Sequence, residues 1–171
     1  MLGTPEAGCY HGAVDTSGFT GADSQAQIRQ AQIRQASGVK VDGRCHCGNI
    51  RYEAEVDPGK VTVCHCTDCQ MLTGSAFRAN VQAPRESFVL RGGQPRIYIK
   101  TAESGTRRAH AFCPECGTPV YSSAISDPPY YSLRVGCLEQ RAQLEPARQI
   151  WCKSALGWAM KLQGVEQIMQ Q

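Results

Sequence analysis

Three cysteines fall within the stretch "VCHCTDCQ", residues 63 to 70: Cys64, Cys66 and Cys69. A structural zinc takes four protein ligands, whereas a zinc that performs chemistry keeps one position for water or substrate, so a group of three raises the question of an open site. Two tighter pairs lie on either side. Cys45 and Cys47 form C-x-C in "GRCHCGN", and Cys113 and Cys116 form C-x-x-C in "FCPECGT". A tight pair followed by glycine reads as a knuckle, in which the chain doubles back so that both sulfurs face one ion. Gly48 and Gly117 give the backbone the freedom to do so. Two knuckles supply the four sulfurs of one tetrahedral structural Zn²⁺. The competing reading is redox dithiols or buried thiols.

Of the remaining cysteines, three are clustered and Cys9, Cys137 and Cys152 stand alone. The cluster of Cys64, Cys66 and Cys69 reads as an open Cys₃ site. His65, His46 or His110 remain candidate fourth ligands that would close it, although His65 lies between two ligands and its ring should point away. Three thiolates around a divalent ion leave a net charge of about −1, which blunts its Lewis acidity toward water and suits it to a soft ligand instead. A substrate thiol entering there loses its proton and becomes an activated nucleophile. The chemistry indicated is the making or breaking of a carbon–sulfur bond between a thiol and an aldehyde-like carbon.

These groups need elements to hold them. From Val39 the chain reads as short strands separated by turns. Ile50, Tyr52, Ala54 and Val56 alternate with polar residues, "DPG" closes that strand, and "KVTV" leads into the three cysteines. Thr67, with Gln70 three residues on, fits a capping box opening a short helix that Gly74 stops, and the helix's positive end would favour thiolates at Cys66 and Cys69. "AFRANVQ", "SFVLR", "RIYIKT", "RRAHAF", "PVYSSAI", "YYSLRVGCL" and "RQIWCKS" follow as strand candidates in a mainly β domain. Trp151 and Trp158 read as core aromatics, Cys137 and Cys152 as small apolar residues within strands, and Phe77 as packing beside the helix.

At 171 residues the chain suits one domain with some excess. Residues 1–37 are rich in Gly, Ser, Ala and Gln, carry the duplication "AQIRQAQIRQ", and read as a poorly packed extension. The zinc-binding domain is expected over 38–160 and a tail over 161–171. A net charge of +3 without a basic block gives no sign of nucleic acid. The absence of a signal-like N-terminus or a long apolar run points to a soluble, cytoplasmic protein without a membrane partner. Ten cysteines in that setting are metal ligands or reactive thiols rather than disulfides.

Taken together, "GRCHCGNIRYE", "CHCTDCQMLTGSAF", "YIKTAESGTRRAHAFCPECGTPVYS", "YYSLRVGCLE" and "QIWCKSALGWAM" resemble the glutathione-dependent formaldehyde-activating enzyme family, which also includes centromere protein V-type members. The resemblance runs from about Val39 to Met160. It implies a mainly β fold of several small coiled antiparallel sheets around zinc knuckles, with one short helix after the active-site cysteines. It also implies two zinc ions: Cys45, Cys47, Cys113 and Cys116 hold the structural one, and Cys64, Cys66 and Cys69 hold the second at the catalytic centre. In the family's namesake activity glutathione and formaldehyde give S-hydroxymethylglutathione, formally a carbon–sulfur lyase run in reverse. Arg51, Arg78, Lys100, Arg107 and Arg108 are possible carboxylate partners, but arginines on strands usually form solvated faces. Gln70 departs from the family, in which a basic residue is frequent at that place. The alternative function is a non-catalytic zinc module that carries a thiol or binds a protein partner. A zinc deaminase or hydrolase would want H-x-E with P-C-x-x-C, and no H-x-E occurs.

Overall fold

Alternation along the chain turns directly into strands. A computed structural model of the chain describes residues 38–102 and 104–170, so the extension read over 1–37, its duplication and Cys9 lie outside the described residues. Strand β1 (Val39–Arg44) and strand β2 (Arg51–Val56) pair antiparallel, and β2 buries every second residue as the sequence alternation requires. Strand β3 (Thr62–Cys64) carries the first of the three clustered cysteines. The helix α1 (Thr67–Thr73) follows, then β4 (Arg78–Pro84), β5 (Val89–Gly92), β6 (Arg96–Thr101), β7 (Arg107–Phe112), β8 (Pro119–Ser123), β9 (Tyr130–Arg134) and β10 (Arg148–Ile150). All seven later strand candidates are present. Two end early: Cys137 closes a 3-10 turn after β9, and Cys152 opens another after β10, so neither lies in a strand.

The strands gather into two sheets, β1-β2-β5 and β10-β3-β4-β9-β8-β7-β6. All pairings are antiparallel except β10 on β3, which is parallel. The core lies between the sheets, with Val41, Tyr52, Ala54 and Val56 from one meeting Val81, Ala83, Val120 and Leu133 from the other. Phe88 binds the two together through rings, with Tyr131, Tyr52 and Tyr121 at centroid distances of 4.4, 5.3 and 5.3 Å. Trp151 and Trp158 are not in that core. They are 67% and 63% exposed, because Trp151 leaves β10 with a left-handed φ of 58° and the chain beyond runs over the surface in short turns. Among the described residues no helix is long and apolar enough to cross a membrane.

Candidate metal centres

The first knuckle is the turn between β1 and β2, and the second is the turn between β7 and β8. Gly48 and Gly117 adopt φ of 77° and 72°, the left-handed region in which a side chain is strained. In each turn the glycine N–H donates to the carbonyl of the first cysteine, at 3.0 Å for Gly48 on Cys45 and 2.9 Å for Gly117 on Cys113. The Ile50 N–H also donates to Cys45 Sγ at 3.2 Å. Thr118 stitches the knuckles together: its Oγ1 accepts from the His46 N–H at 3.2 Å and lies 3.1 Å from Cys116 Sγ.

The four sulfurs of Cys45, Cys47, Cys113 and Cys116 lie within 4.8 Å of one another. Cys45 and Cys47 are 3.5 Å apart and Cys47 and Cys113 are 3.7 Å apart. A tetrahedron with metal–sulfur bonds of 2.3 Å has edges of about 3.8 Å, so the spacing fits a zinc ion. Proton affinity within the cluster is uneven. Cys116 is lowered to about 5, first by the Thr118 hydroxyl, whereas Cys47 is raised to about 12 although the Asn49 N–H favours its thiolate, because Cys45 and burial outweigh that bond. The protein alone cannot hold four thiolates this close. A divalent cation can, which is what the donor set fits. Cys45 and Cys113 are 1% and 0% exposed and belong to the main core.

The second group has three donors. Cys64, Cys66 and Cys69 again bring their sulfurs within 4.8 Å, with Cys64 and Cys66 3.6 Å apart. Cys64 is buried, while Cys66 and Cys69 are partly exposed. The cap on α1 differs from the Thr67 capping box. Cys66 is the N-cap, its sulfur accepting from the Cys69 N–H at 3.4 Å, and Thr67 is the first helical residue. A thiolate is a good acceptor for that N–H, so one sulfur serves both the helix start and the cluster. Gly74 ends the helix at φ 62° as read from the sequence. Gln70 is the brace rather than a box partner, its Nε2 donating to the His65 carbonyl at 2.7 Å and to the Ser154 carbonyl at 2.9 Å. Hydrogen bonding with Cys69 holds the Cys64 thiol down, while the same bond pushes Cys69 up and burial pushes Cys66 up. The protein's own hydrogen bonds and burial together favour thiolate character at one of the three sulfurs and oppose it at the other two, so three thiolates need a cation. The donors fit zinc here too, with three ligands.

Among the described residues no fourth side chain joins this group. His65 is 1% exposed and turns away, its Nε2 2.8 Å from Gln149 Oε1 and its ring edge-on to Phe77 at 5.7 Å. His46 stands at the other knuckle. His110, on β7, is half-buried with its Nδ1 3.4 Å from Arg134 Nη2. Lys100 pairs with Asp68 on α1, tying β6 to the helix that carries Cys69.

The strand arginines divide. Arg51 and Arg107 are exposed, as expected of a solvated face. Arg78 is only 5% exposed, and Arg134, which the sequence reading passed over, is 6%. The available signal was a charged residue flanked by the apolar Leu133 and Val135 at the end of β9. Thr118, Gln149 and Asn80 were also missed, because ordinary polar residues gain their roles only through partners far along the chain.

The class is a mainly β protein whose cysteine groups have metal-ligand geometry. A family profile described as "Glutathione-dependent formaldehyde-activating enzyme" matches residues 40–154, and the chain belongs to that family. Membership supports a glutathione-dependent, formaldehyde-activating function in general. A crystal structure of a Rhodobacter sphaeroides protein, a structural-genomics target, is similar at 23% identity with a TM-score of 0.49, covering 65% of this chain and 99% of that one.

Proposed function

We propose that the protein joins glutathione to formaldehyde as a zinc-dependent carbon–sulfur lyase working in the direction of synthesis, with Cys45, Cys47, Cys113 and Cys116 holding a structural ion and Cys64, Cys66 and Cys69 holding a catalytic one. The observation that carries this is the contrast between the two groups: four sulfurs that make a complete tetrahedral set, two of them in the core, against three sulfurs that no fourth side chain joins among the described residues and whose neighbouring histidine faces Gln149. When bound at the second group, zinc supplies the positive charge that lets a thiol beside it lose its proton at neutral pH.

The chain's own residues do the rest. Cys66 fixes the start of α1, so the sulfurs sit at its N-terminal end, where partial positive charge favours their thiolate form. Gln70 holds the ligand loop to the segment after β10, and the Lys100–Asp68 pair holds the other side of the helix. His65 and Phe77 pack against each other beside the cysteines. In the reaction the thiol sulfur attacks the formaldehyde carbon, a C–S bond forms as the C=O π bond breaks, and the oxygen takes up a proton from water. The thiol's proton leaves to solvent, so atoms and charge balance.

The test is metal analysis of purified protein followed by ¹³C NMR of adduct formation from glutathione and labelled formaldehyde. Two zinc ions per chain and a rate above the uncatalysed one are expected. Thiol binding with no rate gain would leave a carrier, and a metal content of one or none would overturn the reading.

A further inference from the structure

The register of the larger sheet puts chemistry on one face. Residues directly across from one another point the same way, as do residues two apart along a strand. Cys64 lies opposite Arg78, Asn80 opposite Arg134, and Ser122 opposite both Ser132 and His110. These six residues besides Cys64 are polar, whereas Val63, Val81, Leu133 and Ala111 on the reverse face are buried. The clustered cysteines therefore share a face with two deeply buried cations.

Neither cation is paired with a carboxylate among the described residues. The Nε of Arg78 and the Nε of Arg134 are buried without a hydrogen-bond partner. The fork of Arg134 meets only neutral groups: Nη1 donates to Asn80 Oδ1 at 2.5 Å and to the Ser132 carbonyl at 3.4 Å, and Nη2 donates to His110 Nδ1 at 3.4 Å. The nearby Lys100 is already answered by Asp68. Burial, with Arg78 close by, drives Arg134 down to about 9, and burial with Arg134 and Arg78 drives His110 down to about 4, so the histidine adds no charge.

Taking an unpaired guanidinium out of water is costly unless an anion answers it. Three thiolates and a divalent ion carry about one negative charge, which Arg78, directly across from Cys64, is placed to balance. Arg134 is left over. It stands two strands away from β3, a separation of about 10 Å, too far to serve the reacting sulfur and suited to another part of the same ligand.

We propose that Arg134, braced by Asn80 and with Arg78 between it and the cysteines, is the subsite that receives a carboxylate of the thiol substrate. The protein then selects anionic thiols over neutral ones, and Arg134 is a specificity determinant. This rests on the thiol reading above for the position of the sulfur, and the experiment separates the two.

Isothermal titration of the zinc-loaded protein with S-methylglutathione, its diethyl ester and glutathione supplies the test. S-Methylglutathione has no free thiol, so it reports the carboxylate contact alone. Wild type should bind the free acid at least about 10-fold tighter than the ester, the scale of one charged hydrogen-bonded pair. Arg134→Gln should erase that difference, and Arg134→Lys should keep part of it. Acid and ester binding within a factor of about two in wild type, or neither binding, would overturn the proposal without recourse to any variant. Glutathione binding no tighter than S-methylglutathione would instead remove the sulfur's contribution, sinking the thiol reading while leaving the carboxylate subsite standing.

Discussion

At the scale of single residues, burial separates two jobs for the same side chain. Cys113 is fully enclosed in the core, so its loss would deprive the proposed structural ion of a ligand and leave a polar hydroxyl among apolar neighbours. Cys113→Ser should cost at least about 3 kcal/mol. Cys69 is partly exposed on a one-helix rim, and Cys69→Ser should stay within about 1 kcal/mol of wild type while losing thiol binding. Paired thermal melts check the order, and a lower Tm for Cys69→Ser would reverse the assignment of the two groups. His110 carries a second expectation. Burial, with Arg134 and Arg78 adding repulsion, depresses its pKa to about 4 from 6.5. The folded state therefore keeps it neutral while the unfolded chain binds a proton below 6.5. Its contribution is fully present above the unfolded value and is lost as pH falls through 6.5 toward 4. Urea midpoints should drop across that window in wild type, and the drop should be shallower in His110→Gln. Equal slopes would show that His110 is not the titrating group.

At the scale of elements, the strands were legible because alternation and turn residues are local signals, and each strand candidate after the helix appears in the fold. The partition of cysteines was legible for the same reason: a knuckle is a local turn, and Gly48 and Gly117 take the positive φ that the spacing asked for. The failures all concern what lies across space. Thr67 and Gln70 have the spacing of a capping box, but Cys66 won the cap, since its sulfur already faces the cluster and the Cys69 N–H. Gln70 was thereby free to brace two carbonyls, one of them 84 residues away. Trp151 and Trp158 look like core on size alone, yet the positive φ at Trp151 carries the chain outward. Arg134 looked unremarkable until β9 was placed beside β4. The Gln70 brace can be tested as an element-level feature. Its amide donates two hydrogen bonds, so Gln70→Ala should cost about 1–2 kcal/mol, and Gln70→Glu should cost more because a carboxylate faces two carbonyl oxygens with nothing to donate. Gln70→Lys keeps the donors and should fall nearest wild type. Denaturant unfolding that ranks Glu above Ala would contradict the brace.

At the scale of the whole molecule, the two cysteine groups close loops of very different size. Cys45 and Cys47 extend from the three-stranded sheet, and Cys113 and Cys116 from the seven-stranded one, with Cys113 66 positions after Cys47. An ion held there clips the sheets together across the core. By the chain-entropy argument used for covalent cross-links, closing a loop of that length is worth about 4 kcal/mol. Cys64, Cys66 and Cys69 lie along one short stretch at the start of α1, so an ion there restrains little that the backbone has not already fixed. Chelation should therefore proceed in two phases. The three-sulfur group yields its metal first, with thiol binding lost and the far-UV circular dichroism close to native. The second ion leaves only as the core opens, so its release should follow the rate of cooperative unfolding and be slowed by conditions that stabilise the fold. Stopped-flow chelator titration monitored together with circular dichroism reads both phases. Unfolding that accompanies the first ion, or a second ion that leaves a folded protein behind, would mean that the clip between the sheets is not what holds this small double-sheet core shut.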